Sequence, residues 1–186
     1  RLEDDPADVE ALRSLERLYE RGEDWQRLIG ALQSRDQVTL EEAEQRLIAT
    51  RIAEVYETRL DDAENAIVAY NDALSRFGPD EVSLGALARL YEKTARWDDL
   101  LEILEMKLER AEEEPRRAEL RFRMAEILRA KTRDVERAVD LYAEVLASEP
   151  GHEGVMNALE EIVTDSDASH RVEAARVLVP QLEAAQ

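Results

Sequence analysis

The chain carries the same residue pattern twice, at a fixed offset of 72 positions. The segment LERLYE at 15–20 returns as LARLYE at 87–92, and Trp25 returns as Trp97. A second pattern lies between these copies and repeats at the same offset. Its matched residues are Ala53, Ala66, Tyr70 and Leu74 with Ala125, Ala138, Tyr142 and Leu146. Such repetition is typical of a solenoid, in which each unit buries its apolar face against its neighbours.

Apolar residues follow the helical period nearly everywhere, and no convincing alternating run predicts a strand. The pattern predicts ten helices, at about 7–21, 24–36, 40–59, 62–77, 80–94, 97–113, 115–131, 134–148, 153–164 and from 169. Short links make consecutive helices antiparallel neighbours. We therefore expect an all-α solenoid of about five helix hairpins, forming one repeat domain over 1–186. The expected hairpins are 7–37, 40–77, 80–113, 115–148 and 152–186.

Capping residues set the expected helix ends. Gly22 is suited to end the first helix, and Asp24 and Asp62 are suited to cap the helices that follow them. Thr39, with Glu42 three residues later, has the form of a capping box for the third helix. Pro180 falls inside the last helical pattern, where it would kink or end the helix, or belong to a further unit beyond this sequence.

The charge of the chain restricts its partners. Acidic residues outnumber basic ones by 44 to 25, which gives a net charge of −19. This field repels nucleic acid and anionic lipid, so neither is an expected partner. No apolar run approaches the roughly 20 residues needed to cross a bilayer. The start of the sequence has no signal-peptide character, and we interpret the chain as a piece of a longer protein. The compartment stays open, with the cytoplasm slightly favoured.

The unit around Ala53 resembles a tetratricopeptide repeat. The matching residues are Ala53, Tyr56, Ala66, Tyr70, Ala73 and Pro79, and in the next copy Ala125, Leu128, Ala138, Tyr142, Val145 and Pro150. One extra residue separates Tyr56 from Ala66, so the hairpin loop is longer than usual for the family. The alternation of two unit types is similar to the long tetratricopeptide-like arrays of GC-rich bacteria. The resemblance implies a right-handed superhelical solenoid.

In that family the first helix of each hairpin lines a concave groove. The resemblance therefore implies a partner-binding groove whose candidate residues are Arg13, Arg17, Arg51, Arg89, Phe122 and Arg123. Arginine can hold a carboxylate through two parallel hydrogen bonds, which suits an acidic or C-terminal segment of a partner. The alternative is that these arginines pair with Glu16, Glu54, Glu119 or Glu126 on their own or adjacent helices. The lysines and asparagines of the family's carboxylate clamp are absent from the matching positions.

The aromatic residues allow two interpretations. The repeated register of Trp25 and Trp97 favours structural packing over exposed anchors. Phe122 is the better candidate for a binding hot spot, because the equivalent position holds Thr50. The histidines His152 and His170 lie far apart without a second ligand at helical spacing, so no metal site is expected. Residues 165–167 resemble the start of a calcium loop but lack its remaining ligands, and a helix cap explains them better.

The sequence holds no nucleophile–base pair, phosphate-binding glycine loop or carboxylate pair arranged as in an enzyme cleft, so we expect no enzyme and no cofactor. The expected function is a non-catalytic scaffold or adaptor for protein–protein interaction, which binds other proteins or peptide segments, acidic ones included. Two alternatives stay open. The chain could be a structural spacer that self-associates through its terminal repeats, or the regulatory or recruitment arm of a larger enzyme.

Overall fold

The computed structural model describes residues 8–165 and 167–184. This part contains ten α-helices, one π-helical turn and no strand, so the prediction of an all-α chain is confirmed. The helices are α1 Val9–Arg21, α2 Trp25–Val38, α3 Glu42–Thr58, α4 Ala63–Phe77, α5 Glu81–Lys93, α6 Trp97–Arg110, α7 Glu114–Ile127, α8 Val135–Ser148, α9 Glu153–Asp165 and α10 Ala168–Ala184. The π-helical turn, Leu128–Thr132, continues α7.

The chain divides into two compact units, with the division between Thr94 and Ala95. Unit 1 contains α1–α5, in which α1 packs on α2, α2 on α3, α3 on α4 and α4 on α5. Unit 2 contains α6–α10, in which α6 packs on α7, α7 on α8, α9 on α10 and α8 on both α9 and α10. Packing of neighbours in the sequence is the arrangement expected of helical repeats.

Aspartates begin several of the helices. The side chains of Asp24, Asp62 and Asp134 each accept a hydrogen bond from a backbone N–H in the first turn, at 3.1–3.2 Å. These bonds satisfy donors that a helix start leaves unpaired. The predicted caps at Asp24 and Asp62 are confirmed. Gly22 ends α1 as predicted, and its N–H donates to the Leu18 carbonyl.

The predicted capping box at Thr39 and Glu42 is wrong. Thr39 ends α2 and does not begin α3, because its hydroxyl donates to the Arg35 carbonyl at 2.8 Å. The N-cap of α3 is Glu41, whose side chain makes no capping bond. A threonine hydroxyl can bond back to the carbonyl four residues earlier, and that competing bond is the one formed here.

The turns between helices repeat along the chain. Glu23 and Ala95 have φ values of 53° and 56°, and Asp61 and Arg133 have φ values of 48° and 62°. Members of each pair are 72 positions apart. Residues other than glycine rarely adopt this left-handed conformation, so its recurrence shows that the repeat extends to the backbone of the turns.

The extra residue predicted between Tyr56 and Ala66 is taken up at the end of the preceding helix. The N–H of Leu60 donates to the Val55 carbonyl five residues earlier, at 3.2 Å. In the equivalent copy, the π-helical turn Leu128–Thr132 has the same wider spacing. A π-type turn, with its bond to the carbonyl five residues earlier, accommodates one extra residue within a helix.

The core follows the tetratricopeptide-like positions. Ala53, Ala66, Ala125 and Ala138 are fully buried, and Tyr70 and Tyr142 are buried beside them. Small residues let two helices approach closely, and each larger tyrosine reaches the first helix of its own hairpin, Tyr70 at Glu57 and Tyr142 at Glu126. In unit 1 an apolar cluster joins α2 to α3. It consists of Leu28, Ile29, Leu32, Ile48 and Val55.

Of the alternatives predicted for Pro180, the structure excludes an end of the helix at this residue. Helix α10 does not end there but continues to Ala184. Asp167 caps α10, since its carboxylate accepts from the backbone N–H groups of Ser169 and His170. Of the 165–167 segment, Ser166 lies outside the described residues. No helix within 8–165 or 167–184 has the length and apolar character needed to span a membrane.

Candidate functional site

Three of the predicted groove arginines form ion pairs between helices of unit 1. Arg13 on α1 pairs with Glu44 on α3 at 2.5 Å, Arg51 on α3 pairs with Glu20 on α1, and Arg89 on α5 pairs with Glu57 on α3 at 3.1 Å. Arg51 also lies 3.8 Å from Glu54, one of the acids named in the alternative interpretation. We call these three interhelical pairs the arginine ladder. They connect the first helices of successive hairpins.

A fourth arginine, Arg35 on α2, binds a glutamate that also belongs to the arginine ladder. Arg35 donates to Glu16 at 2.6 Å and to Glu44 at 2.7 Å, and its side chain is only 13% exposed. The hydrogen bond from Arg13, aided by the charge of Arg35, lowers the pKa of the Glu44 carboxyl. Arg35 thereby joins α1, α2 and α3, and its partial burial makes these pairs less screened than surface pairs.

The remaining predicted residues are placed differently. Arg17 donates to the Arg13 carbonyl and to the Ser14 hydroxyl, both at 3.3 Å, so it bonds within α1. Arg123 lies half-buried on α7. Phe122, also on α7, packs against His152 with ring centroids 4.9 Å apart, and against Tyr142 at 6.2 Å. This packing covers much of the ring that we expected to be a hot spot.

One ion pair recurs 72 positions later with its charges reversed. Glu57 on α3 pairs with Arg89 on α5, whereas Arg129 in the π-helical turn pairs with Glu161 on α9 at 2.8 Å. Each member is replaced by the opposite charge at the equivalent position. An ion pair thus connects the helices at both places, although the residue types are exchanged.

Each of the repeated tyrosines donates a hydrogen bond to a glutamate on the preceding helix. The Tyr70 hydroxyl donates to Glu57 at 3.0 Å, and the Tyr142 hydroxyl donates to Glu126. Burial and the neighbouring carboxylate raise the pKa of each phenol well above its usual value. These phenols therefore remain protonated and serve as fixed donors, which indicates a structural role.

The two tryptophans have the same surroundings. The guanidinium of Arg59 lies 5.1 Å from the Trp25 ring centre, and the ammonium of Lys131 lies 5.2 Å from that of Trp97. Both pairs are cation–π contacts at positions 72 residues apart. Trp25 also packs on the apolar cluster of unit 1. Repeated packing accounts for both tryptophans without a partner.

Unit 1 contains a groove between α2 and α4, with α3 as its floor. Its volume is about 530 Å³. The floor is formed by Ala49, Ile52 and Tyr56, one wall by Gln33, Asp36 and Gln37, and the other by Asn65, Val68, Ala69, Asp72 and Arg76. We call this space the α2/α4 groove. It combines an apolar floor with amide and carboxylate groups along its walls, a composition that suits a peptide segment.

One arginine spans the α2/α4 groove. Arg76 on α4 pairs with Asp36 on α2 at 2.9 Å and with Asp72 at 3.4 Å. The hydrogen bond from Arg76 to Asp36 is the main cause of a raised pKa for this guanidinium. Val68, on the same wall, leaves 65% of its surface exposed. The groove thus has an exposed apolar residue, Val68, and two acids, Asp36 and Asp72, whose charge is partly neutralised by Arg76.

The sequence patterns did not predict the α2/α4 groove, because its space depends on side-chain sizes across three helices. A signal for it exists in the comparison of the two copies. Ala49 and Ala69 in the groove correspond to Arg121 and Leu141 in unit 2. The small size of these two residues, at positions that hold large residues in the other copy, is a sequence signal for open space in unit 1.

The histidines have local roles. His152 accepts a hydrogen bond from the Val155 N–H at the start of α9, and His170 lies 3.2 Å from Asp167. Among the described side chains, no group of three or more histidine, cysteine, aspartate or glutamate residues is arranged to hold a metal ion.

A family model described as tetratricopeptide repeat matches residues 83–118. This segment covers α5 from Ser83 onward, all of α6 and the start of α7, and it contains the second copy of the Tyr–Trp pattern. None of the curated proteins matches the sequence significantly.

Solved structures similar to this chain extend the likeness to nearly its whole length. A tetratricopeptide repeat protein from Parabacteroides merdae has a TM-score of 0.54 at 13% identity, over 95% of this chain and 66% of that protein. YrrB, described as a tetratricopeptide repeat protein with an unusual peptide-binding site, has a TM-score of 0.54 at 16% identity, over 98% and 94%. MamA has a TM-score of 0.52 at 11% identity, over 94% and 90%.

These likenesses agree with the packing of small residues and tyrosines at the tetratricopeptide-like positions. Identities of 11–16% show a shared fold and not a shared activity. The family model thus matches one repeat of the chain, and the solved structures show that nearly the whole chain shares a tetratricopeptide-like helical-repeat fold.

Proposed function

We propose that this chain is a non-catalytic scaffold that binds segments of partner proteins. The observation that supports this function most directly is the α2/α4 groove, which offers an apolar floor beside unfilled space of about 530 Å³. Peptide segments bind to such surfaces through side chains in the groove and polar groups along its edges. The similar protein YrrB is described as having a peptide-binding site, which is consistent with this use of the fold.

The arginine ladder is a second candidate surface, for an acidic or C-terminal segment. Its pairs lie at the surface, where Arg13 and Arg89 leave 53% and 65% of their side chains exposed. Exposed ion pairs contribute about 0–1 kcal/mol each, so a partner carboxylate could replace a glutamate at low cost. The proposed partner-binding residues on this surface of unit 1 are Arg13, Arg17, Arg51 and Arg89. Phe122 and Arg123 remain proposed binding residues of unit 2, taken by itself.

A library of displayed random peptides distinguishes between these surfaces. The bait is the chain itself, beside an Ala69→Leu variant that narrows the α2/α4 groove and an Arg51→Glu/Arg123→Glu variant that reverses the predicted charges. Circular dichroism confirms that each variant is folded. We expect enriched peptides that bind the parent chain and the charge-reversed variant but not the Ala69→Leu variant.

Other outcomes have equally definite meanings. Loss of binding only in the charge-reversed variant would assign the interaction to the predicted arginine positions. Failure to enrich any peptide on the folded parent chain would contradict the proposal of a segment-binding scaffold.

Self-assembly is a second candidate function, supported by the surface of α10. Val172, Val179 and Leu182 leave 41–51% of their surfaces exposed, and their spacing places them along one side of the helix. Another hairpin could pack on this stripe as hairpins pack elsewhere in a repeat array. Sedimentation velocity over a range of concentrations tests this, with Val179→Glu expected to reduce association and Val82→Glu, at a valine that is 59% exposed outside the α2/α4 groove, as a control.

A further inference from the structure

We propose that the α2/α4 groove binds the side chain of an arginine carried by a partner segment. The inference rests on the proposed scaffold function and specifies the chemistry of the segment. Unit 2 contains an arginine of its own at the position where the groove of unit 1 has alanine. The partner's arginine would occupy in unit 1 the place that Arg121 fills in unit 2, and it would compete with Arg76 for Asp72.

The key comparison is between Ala49 and Arg121, which are 72 positions apart. Ala49 is part of the groove floor. Arg121 leaves only 12% of its side chain exposed and reaches from α7 to Glu144 on α8, at 2.8 Å from Nε. It also donates to Glu114 at 2.9 Å. In unit 2, an arginine side chain therefore lies between the helices that correspond to α3 and α4.

Both carboxylates that hold Arg121 have counterparts in unit 1. Glu144 corresponds to Asp72, and Glu114 corresponds to Glu42. Asp72 is 59% exposed and meets Arg76 at 3.4 Å, and Glu42 is 74% exposed and meets Arg46 at 3.9 Å. These distances are longer than those made by Arg121. Unit 1 thus retains both acids of the arginine site, paired at longer distances with Arg76 and Arg46, while alanine stands at the position of Arg121.

The groove also suits the rest of an arginine side chain. Its methylene groups would cover the apolar floor of Ala49 and Ile52, while the guanidinium reached Asp72. A guanidinium offers five donors in a planar arrangement, and charge-assisted bonds of this type are stronger than neutral ones. The net charge of −19 favours the approach of a cationic segment. Gln33, Gln37 and Asn65 on the walls can bond to its main chain.

Amide NMR with a small probe tests the proposal directly. The probe is N-acetyl-arginine amide, and its matched control is N-acetyl-citrulline amide, which has nearly the same shape without the charge. We expect the arginine probe to shift the amide signals of Ala49, Ala69 and Asp72, and the citrulline probe to bind at least about fivefold more weakly. Equal shifts from both probes, or shifts confined to residues outside the groove, would overturn the proposal.

Three variants make the test specific. Ala49→Arg should supply the guanidinium internally and abolish the shifts, and Asp72→Asn should weaken binding about fivefold. Arg121→Ala should create a second site, seen as new shifts at Leu141 and Glu144. Undiminished binding by folded Ala49→Arg would refute the assignment. If Ala49→Arg does not fold, the other two variants decide. The assignment is refuted if Arg121→Ala shows no new site and Asp72→Asn binds the arginine probe as tightly as the parent chain.

The two proposals can fail separately. If library peptides lose binding in Ala69→Leu while the arginine probe produces no shifts, the groove binds segments of another chemistry, and only the arginine assignment fails. If no library peptide binds the parent chain, the scaffold function itself fails, whatever the probe does.

Discussion

The buried hydroxyl group of Ser83 is expected to lower the free energy of unfolding. Ser83 is fully buried on α5, and its Oγ has no hydrogen-bond partner among the described residues. A buried polar atom without a partner keeps the cost of losing water and gains nothing in return. Because the backbone N–H of Ser83 already bonds to Asp80, the side chain is not needed as a cap.

We therefore expect Ser83→Ala to raise the free energy of unfolding by about 1 kcal/mol. The measurement is urea unfolding followed by circular dichroism. Ser75→Ala on the exposed side of α4 is the control, since it makes the same chemical change without burial. If both substitutions change stability equally, the effect comes from helix propensity and the buried hydroxyl costs nothing.

Residue-level prediction from sequence succeeded where the interaction is local. Asp24 and Asp62 cap their helices because an aspartate needs only the next three residues to do so. Thr39 was assigned wrongly because two local bonds compete for it, and its burial in the structure accompanies the bond to Arg35. The sequence contains both options, and the surrounding packing selects between them.

At the scale of elements, the cap of α4 has a pH dependence. The Asp62 carboxylate accepts a hydrogen bond from the Asn65 side chain at 2.7 Å and another from its backbone N–H at 3.1 Å. These bonds lower the pKa of Asp62 below its ordinary value of 3.8. Since the folded pKa is the lower one, the contribution of the charged form is present above pH 3.8 and is lost as the pH falls through the folded pKa.

Asp62→Asn isolates this contribution, because asparagine is also a good N-cap but does not titrate. We expect the stability difference between the parent chain and this variant to shrink as the pH is lowered from 6 to 3. Urea unfolding at each pH provides the measurement. A constant difference over this range would show that the charge on Asp62 does not contribute.

Close packing of the hairpins gives a second prediction at this scale. Ala66 and Ala138 are fully buried between helices. Ala66→Leu or Ala138→Leu should destabilise the protein by about 1–3 kcal/mol through overpacking. Thermal or urea unfolding measures this, with Ala147→Leu on the exposed side of α8 as the control. A loss below a few tenths of a kcal/mol at either buried site would contradict the assigned packing.

Sequence comparison also predicted an element-level irregularity but not its location. The extra residue between Tyr56 and Ala66 is visible in the sequence, and it was expected in the loop. The structure places it at the end of the first helix, in the wide turn at Leu60 and the π-helical turn at Leu128–Thr132. A residue added in a wide turn at the helix end still has its backbone hydrogen bonds, whereas a residue added in the loop would need other partners. This difference explains why the extra residue lies at the helix end.

Across the whole chain, the offset of 72 positions predicted the fold class because every copy must bury the same face. The candidate site was less predictable. The groove arginines were identified by position, but most of them are paired with glutamates of neighbouring helices. The α2/α4 groove depends on the small size of Ala49 and Ala69 within a three-helix arrangement, and helical periodicity contains no information on such a space.

The reversed ion pairs provide a test at this scale. Glu57→Arg alone places two arginines opposite each other and removes the acceptor of Tyr70, so we expect a loss of about 1–2 kcal/mol. Adding Arg89→Glu reproduces the charge order of Arg129–Glu161 and should regain about 0.5–1 kcal/mol. Urea unfolding of the two single variants and the double variant gives the coupling energy. A coupling energy of zero would mean that the ion pair between Glu57 and Arg89 does not contribute to stability.

The reversal also bears on how similar hairpins avoid mispairing while the chain folds. Repeat proteins are prone to misassembly, because an incorrect hairpin offers nearly the same apolar surface as the correct one. If α9 took the place of α5 beside α3, Glu161 would face Glu57, and if α5 took the place of α9 beside α7, Arg89 would face Arg129. Each slip by one 72-residue copy would set like charges against each other. The exchanged charges therefore act against out-of-register stacking in a chain whose apolar positions alone would permit it.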